Sequence, residues 1–327
     1  MGAFRWRYSK KHLVWTLIIA LIIGLFVIGV FYDLAISKAI AAPLLDQHYY
    51  GYYEPISLIV EIFGWIPVLL LFSASLMILT VNYQYQHYQT GFNKANLLLI
   101  LISTINILAL EFFCFNPLIS TLFYNPDQAY PLKTAAGWTS IISFIGGMIG
   151  GTLLTYWLLK RVNRIDKEKL DSYRQWCWQT ITLIITLLVL TLVIKYSMPR
   201  YRFRAINLLN ESVLFTPIFV VDPKWYEFYH DYPIDWIQSF PSGHVLTNMG
   251  CLMLLTLPGI SVQRQRKINL YVLLYLLLIG WMRIENGAHF LTDVCFAYLL
   301  GIGTWAISQW LVKRRNVHHR RTHQLMD

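Results

Sequence analysis

LVWTLIIALIIGLFVIGVFY, residues 13–32, runs for twenty residues without a charge. As a helix rising 1.5 Å per residue it covers about 30 Å, the thickness of a bilayer's hydrocarbon core. Arg5, Arg7, Lys10 and Lys11 precede it, and small residues follow at Ala39, Ala41 and Ala42. A cleaved signal peptide uses an apolar region of only about 7–15 residues, so this one reads as a retained anchor. Working outward, further apolar stretches lie at about 62–81, 95–115, 136–159, 175–195, 242–260, 268–284 and 291–312. The expectation is an all-α, polytopic transmembrane helix bundle of about eight spans. Two of the stretches are less clean: Glu111 sits near one end of 95–115, and 268–284 is short and runs into Arg283.

Composition agrees. Of 327 residues, 56% are hydrophobic and only 13% are charged, about half the charge of a soluble domain. Disorder is excluded, because such a chain has too much apolar surface to leave in water. The four cysteines, Cys114, Cys177, Cys251 and Cys295, lie in apolar stretches without zinc spacing, so they read as buried thiols.

The net charge of +10 raises the question of nucleic acid, and the placement of the charges answers it. Cytoplasmic loops retain Lys and Arg. With the N-terminus inside, segments 1–12, 82–94, 160–174, 261–267 and 313–327 hold 19 of the 27 basic residues. Both termini are therefore expected in the cytosol, in a protein of the plasma (cytoplasmic) membrane. No nucleic-acid partner is needed. The C-terminal KRRNVHHRRTH reads as a solvated tail.

Eight basic residues remain for the outer side, and five of them fall at Lys195, Arg200, Arg202, Arg204 and Arg283. The positive-inside bias should have removed them. Three segments meet on that face: KYSMPRYRF (195–203), PSGH (241–244) and RIENGAHFLTD (283–293). In PSGH, proline suits a first helical turn. The amides of Ser242, Gly243 and His244 would then face an anion, and His244 would donate a proton to a departing oxygen. The plainer alternative makes Ser242 an N-cap and His244 an interfacial side chain. His289 and Asp293, four apart, share a helix face; a carboxylate on one ring nitrogen leaves the other as a nucleophile. Arg283 would hold oxygens bidentately, with Lys195 and Arg202 adding charge. For Arg204 the favoured reading is contact with lipid headgroups; for Arg200 that reading stays open.

These residues resemble the type 2 phosphatidic acid phosphatase superfamily, whose signature reads K-x6-RP, PSGH and SR-x5-H-x3-D. Lys195 and Arg202 match the first element, with Phe203 in place of proline. Pro241 to His244 match the second completely. Arg283, His289 and Asp293 match the third, with Met282 in place of serine. The resemblance covers 195–293 by motif and implies a six-helix phosphatase core over 95–312. Residues 1–94 then form two accessory spans, and 313–327 a basic cytosolic tail.

The resemblance further implies a phosphohydrolase that needs no metal and no cofactor, with an extracytoplasmic site. His289 attacks phosphorus, Asp293 orients it and His244 protonates the leaving group. Lys195, Arg202, Arg283, Ser242 and Gly243 hold the phosphate oxygens. The partner is a bilayer lipid carrying a phosphate or pyrophosphate headgroup. Residues 219–236, FVVDPKWYEFYHDYPIDW, read as an aromatic interfacial belt or as a cleft wall. Two alternatives stand beside the hydrolase: a lipid phosphotransferase using the same site, and a non-catalytic anion or lipid transporter.

Overall fold

Long apolar runs separated by short polar connections fold into helices, because inside a bilayer every backbone N–H and C=O must be satisfied within its own segment. The computed structural model describes residues 2–45, 59, 64–86, 92–115, 138–210, 212–220 and 234–324. Among these there is no strand; the sole bridge is a parallel one between Arg200 and Gln238. The helices are α1 (Gly2–Ile40), α2 (Ile66–Gln86), α3 (Phe92–Leu110), α4 (Trp138–Val162) and α5 (Lys167–Ser197). They continue with α6 (Phe203–Leu209), α7 (Gly243–Asn248), α8 (Val262–Glu285) and α9 (Leu291–Gln324). A π-helical turn, Glu111–Phe115, ends α3, and a 3₁₀ segment, Met249–Thr256, prolongs α7.

Among the described residues each of the eight apolar stretches is largely helical, although the 242–260 stretch leaves its helix after Thr256 and α1 extends well beyond the expected end at Tyr32. Six helical segments among the described residues are long and apolar enough to cross a membrane: Leu13–Ile40, Ile66–Gln86, Ile141–Val162, Lys167–Ser197, Val262–Glu285 and Leu291–Arg315. Leu97–Leu110 and Gly243–Thr256 are shorter. In the latter, the larger 3₁₀ rise stretches the residues over about 25 Å. Outward side chains such as Leu17, Leu21 and Phe31 stay exposed, Phe31 at 75%, as suits a lipid-facing surface. This is an integral membrane protein built as a helical bundle.

The chain divides into two compact units. One comprises Met1–Gly51, Leu187–Met249 and Gly280–Asp327; the other comprises Tyr52–Thr186 and Gly250–Ile279. The second unit packs Met77 and Val81 of α2, Ile102 of α3, Leu158 and Val162 of α4 and Leu170 of α5 into one apolar cluster. In the first unit, α1 runs antiparallel to α9. Trp15 stacks near Trp305, with ring centroids 5.5 Å apart, and near the other end Gly29 abuts Thr292. A Cβ on Gly29 would lie 2.8 Å from Thr292 Cγ2, so only glycine permits that approach. Beside this pair, Tyr201, Phe203, Ile206, Ile237 and Phe290 form a second apolar cluster. The candidate site residues all belong to this first unit.

Candidate active site

Backbone hydrogen bonds stitch the three motif segments together. Arg200 N–H donates to Ile237 O at 2.9 Å, Arg202 N–H to Trp236 O at 2.8 Å, and Ser239 N–H to Arg200 O at 2.9 Å. The segment after α5 is therefore laid along the approach to PSGH. Ser242 N–H donates to Asp293 O at 3.3 Å, which ties PSGH to the first turn of α9. Arg204 N–H donates to Gly287 O at 2.9 Å, which ties the start of α6 to the α8–α9 turn. That turn needs glycine. Gly287 has φ +63°, and a Cβ there would lie 3.0 Å from Leu45 Cδ1 and 3.3 Å from Arg204 Cβ.

Phe203 opens α6 directly after Arg202. The proline usual at this place in the resembled signature would occupy the first helical position, where a missing N–H is harmless. Phe203 instead packs edge-on to Phe290, centroids 6.3 Å apart, and is 1% exposed. The substitution leaves Arg202 in the site.

The catalytic candidates are deeply placed: His289, Asp293, Ser242, Gly243, His244, Arg202 and Arg283 are all buried, and Lys195 is half-buried. Lys195 Nζ donates to Gln238 O at 2.5 Å, and its Cε would stand 3.2 Å from a Cβ on Gly243. Glycine at 243 thus leaves room for the lysine of the first motif beside the second. His289 feels Arg283, Lys195 and Arg202 together. Burial pushes its pKa well below the usual histidine range, and these three cations push the same way, in that order, against the Ser239 carbonyl. The balance disfavours the charged imidazolium.

Two expected details change. First, helix α7 begins at Gly243 with Ser242 as N-cap residue, so Pro241 precedes the helix and does not fill its first turn. The Ser242 amide is occupied by Asp293 O and does not face an anion. Its hydroxyl, however, makes no capping hydrogen bond and has no hydrogen-bond partner among the described residues, although fully buried. The N-cap alternative for this side chain therefore fails. An orphaned buried hydroxyl is costly unless something arrives to use it.

Second, Asp293 does not hydrogen-bond His289: Oδ2 lies 4.0 Å from Nδ1, beyond hydrogen-bond range. Nδ1 instead sits 2.5 Å from Ser239 O. A carbonyl only accepts, so Nδ1 carries the proton and Nε2 keeps its lone pair. Asp293 acts one step back. Its Oδ2 accepts from the Ser239 hydroxyl at 2.5 Å and from Phe290 N–H at 2.9 Å. Ser239 thereby joins carboxylate to imidazole, a role the sequence reading missed.

Arg204 also differs from expectation, and for Arg200 the open reading closes the same way. Both are buried, at 3% and 7% exposure, so neither contacts lipid headgroups; the chain folds over them and supplies polar partners in place of water. Arg200 Nη1 donates to Asp293 Oδ1 at 2.6 Å. Among the described residues no group of three or more His, Cys, Asp or Glu is arranged to hold a metal ion. Much of the aromatic stretch 219–236, including Trp225, lies outside the described residues.

Residues 176–316 match the family model of the PAP2 superfamily. The segment that carries all three motifs thus belongs to the type 2 phosphatidic acid phosphatase superfamily, and the function is of the phosphatase type. No curated protein and no solved structure matches the chain.

Proposed function

We propose that the protein is a membrane phosphatase that hydrolyses a lipid phosphate or lipid pyrophosphate through a phosphohistidine at His289. One observation carries the reading: a buried imidazole whose Nδ1 lies 2.5 Å from the Ser239 carbonyl, which leaves the lone pair on Nε2, under the influence of Arg283, Lys195 and Arg202. Three cations around one nucleophile suit an incoming phosphoryl group, whose oxygens they neutralise as charge builds. Nε2 attacks phosphorus, the P–O bond to the leaving group breaks, and His244 gives that oxygen its proton. Water then attacks the phosphohistidine and frees inorganic phosphate. The buried Ser242 hydroxyl donates to one phosphoryl oxygen.

The antiparallel pairing of α1 and α9 supports an extracytoplasmic site. The basic stretches 2–12 and 313–324 flank one end of this pair, while Asp33 and His289 belong to the other. With the basic end cytosolic, the site faces outward, where a lipid with its tail in the bilayer presents its headgroup.

The test is phosphate release from a panel of lipid phosphates and pyrophosphates by purified protein in detergent, beside His289→Ala. We expect release from at least one lipid, no requirement for an acceptor alcohol, and none from the variant. Release that persists in His289→Ala, or that demands an acceptor, would overturn the proposal.

A further inference from the structure

Among the buried charges that the three motifs leave unexplained, two are paired with each other: Arg200, and Asp33 in the first span. A carboxylate within an apolar span is kept for a use, and its partner names that use. Asp33 Oδ2 accepts from Arg200 Nη2 at 3.0 Å, and Asp33 Oδ1 accepts from Thr292 N–H at 3.1 Å. The Thr292 hydroxyl also donates to Asp33. Arg200 spends its other donors nearby: Nε on Thr216 O at 2.9 Å, and Nη1 on Thr292 Oγ1 at 2.9 Å and Asp293 Oδ1 at 2.6 Å. Its guanidinium lies 4.1 Å from the Phe290 ring centroid.

Four of the five guanidinium N–H donors are therefore committed, and two carboxylates balance the charge. Arg200 is placed to hold Asp293, not to receive phosphate. Asp293 in turn holds the Ser239 hydroxyl, and the Ser239 carbonyl holds His289 Nδ1. The chain of contacts runs from the first span to the imidazole without a gap.

We propose that Asp33 is a positioning residue of the site, which makes the first span part of the catalytic apparatus. By aiming and balancing Arg200 it fixes Asp293, and through Ser239 it fixes the direction of His289 Nε2. The inference rests on His289 being the nucleophile. Without Asp33, Asp293 is the sole carboxylate paired with Arg200 and is drawn toward it, which loosens the ring. A displacement of about 1 Å at an attacking atom is enough for about a 10²-fold loss.

Two anions separate aim from charge. Inorganic phosphate is held by the cations alone, whereas orthovanadate also takes the His289 lone pair into its coordination shell and so requires an aimed ring. Calorimetric titration of full-length protein in detergent compares wild type, Asp33→Asn and His289→Ala. Asp33→Asn is expected to weaken vanadate about 10- to 100-fold while phosphate affinity changes less than about threefold; turnover should show the same split, kcat falling with KM held. Unchanged affinities, or equal weakening for both anions, would overturn the inference, the latter marking a merely structural role. His289→Ala judges the underlying reading separately. It should reduce vanadate affinity to the level of phosphate, and a variant that keeps wild-type vanadate affinity refutes the nucleophile whatever Asp33→Asn does. Should Asp33→Asn fail to fold, Thr292→Val removes the hydroxyl that donates to Asp33 and accepts from Arg200, and keeps both charges. It should weaken vanadate about threefold and selectively, and no selective change there sinks the proposal.

Discussion

Where α2, α3 and α4 meet in the second unit, the buried polar groups are mostly neutral. Ser73 donates to Asn106, Asn106 Nδ2 donates to Thr155 Oγ1 at 3.0 Å, and Ser143 donates to Glu111 Oε1 at 3.2 Å. Glycines set the distance between these helices: a Cβ on Gly147 would lie 2.5 Å from Glu111 Cβ, and one on Gly151 would lie 2.5 Å from Ile107 N. The first unit instead buries Asp33, Arg200, Arg202, Arg204, Arg283, His289 and Asp293. Small residues and hydroxyl–amide pairs are the ordinary means of joining membrane helices, each pair worth only about 0.6 kcal/mol. Buried charge is expensive by comparison. One unit uses its polar groups for packing, and the other gathers buried charge at the candidate site.

The sharpest way to break that contrast is to remove the two histidines in turn. His289→Ala should lower phosphate release by about 10⁴-fold or more, whatever the leaving group. His244→Ala should cost about 10²–10⁴ on a lipid substrate and recover partly on an aryl phosphate whose phenolate departs unaided. Relative rates across leaving groups of falling pKa decide this, and parallel losses for both variants contradict the division of labour. Lys195→Gln is next, at about 10²-fold in kcat, and carries a pH signature. Because His289 is held well below the usual histidine range, the acid limb of kcat/KM should lie well below pH 6.5. Removing the Lys195 charge eases protonation of the ring, so the limb should move up toward neutrality. A limb that stays in place would detach Lys195 from His289. The smallest effect belongs to the other unit. Gly151→Val forces a side chain against Ile107 and should destabilise by about 1–3 kcal/mol, lowering the unfolding midpoint in detergent while kcat of the folded enzyme persists.

The helices were legible because apolar runs of span length leave few other readings. The three motifs were legible because their residue types and spacings match a known signature. What escaped were relations that depend on direction and on distant partners. The i, i+4 spacing of His289 and Asp293 suggests one helix face, yet α9 begins only at Leu291, so His289 lies in the turn before it, and its ring meets the carbonyl of Ser239, fifty residues upstream. Arg204 reads as an interfacial cation and Arg200 stays ambiguous because nothing local announces burial. Pro241 was assigned to a helix that starts two residues later, since Ser242 and Gly243 permit either beginning. Asp33 stands one residue beyond a charge-free run and was passed over as its border. The available signal was Gly29, one turn earlier, which gives α1 a small-residue notch on the same face.

The order of synthesis gives Asp33 a further significance. The ribosome completes it 167 residues before Arg200 and 259 before Thr292. At about 5–20 residues per second, the first span waits roughly 8–30 s for the guanidinium that will balance it. Insertion must therefore succeed with the carboxylate alone, and its location explains how. An aspartate at the middle of a helix opposes insertion by about 2.5–3.5 kcal/mol, but Asp33 follows twenty apolar residues and lies toward one end of the Leu13–Ile40 segment, within reach of headgroups and water. The anchor enters the membrane on the strength of residues 13–32, and its acid is drawn into the protein only when the C-terminal helices arrive.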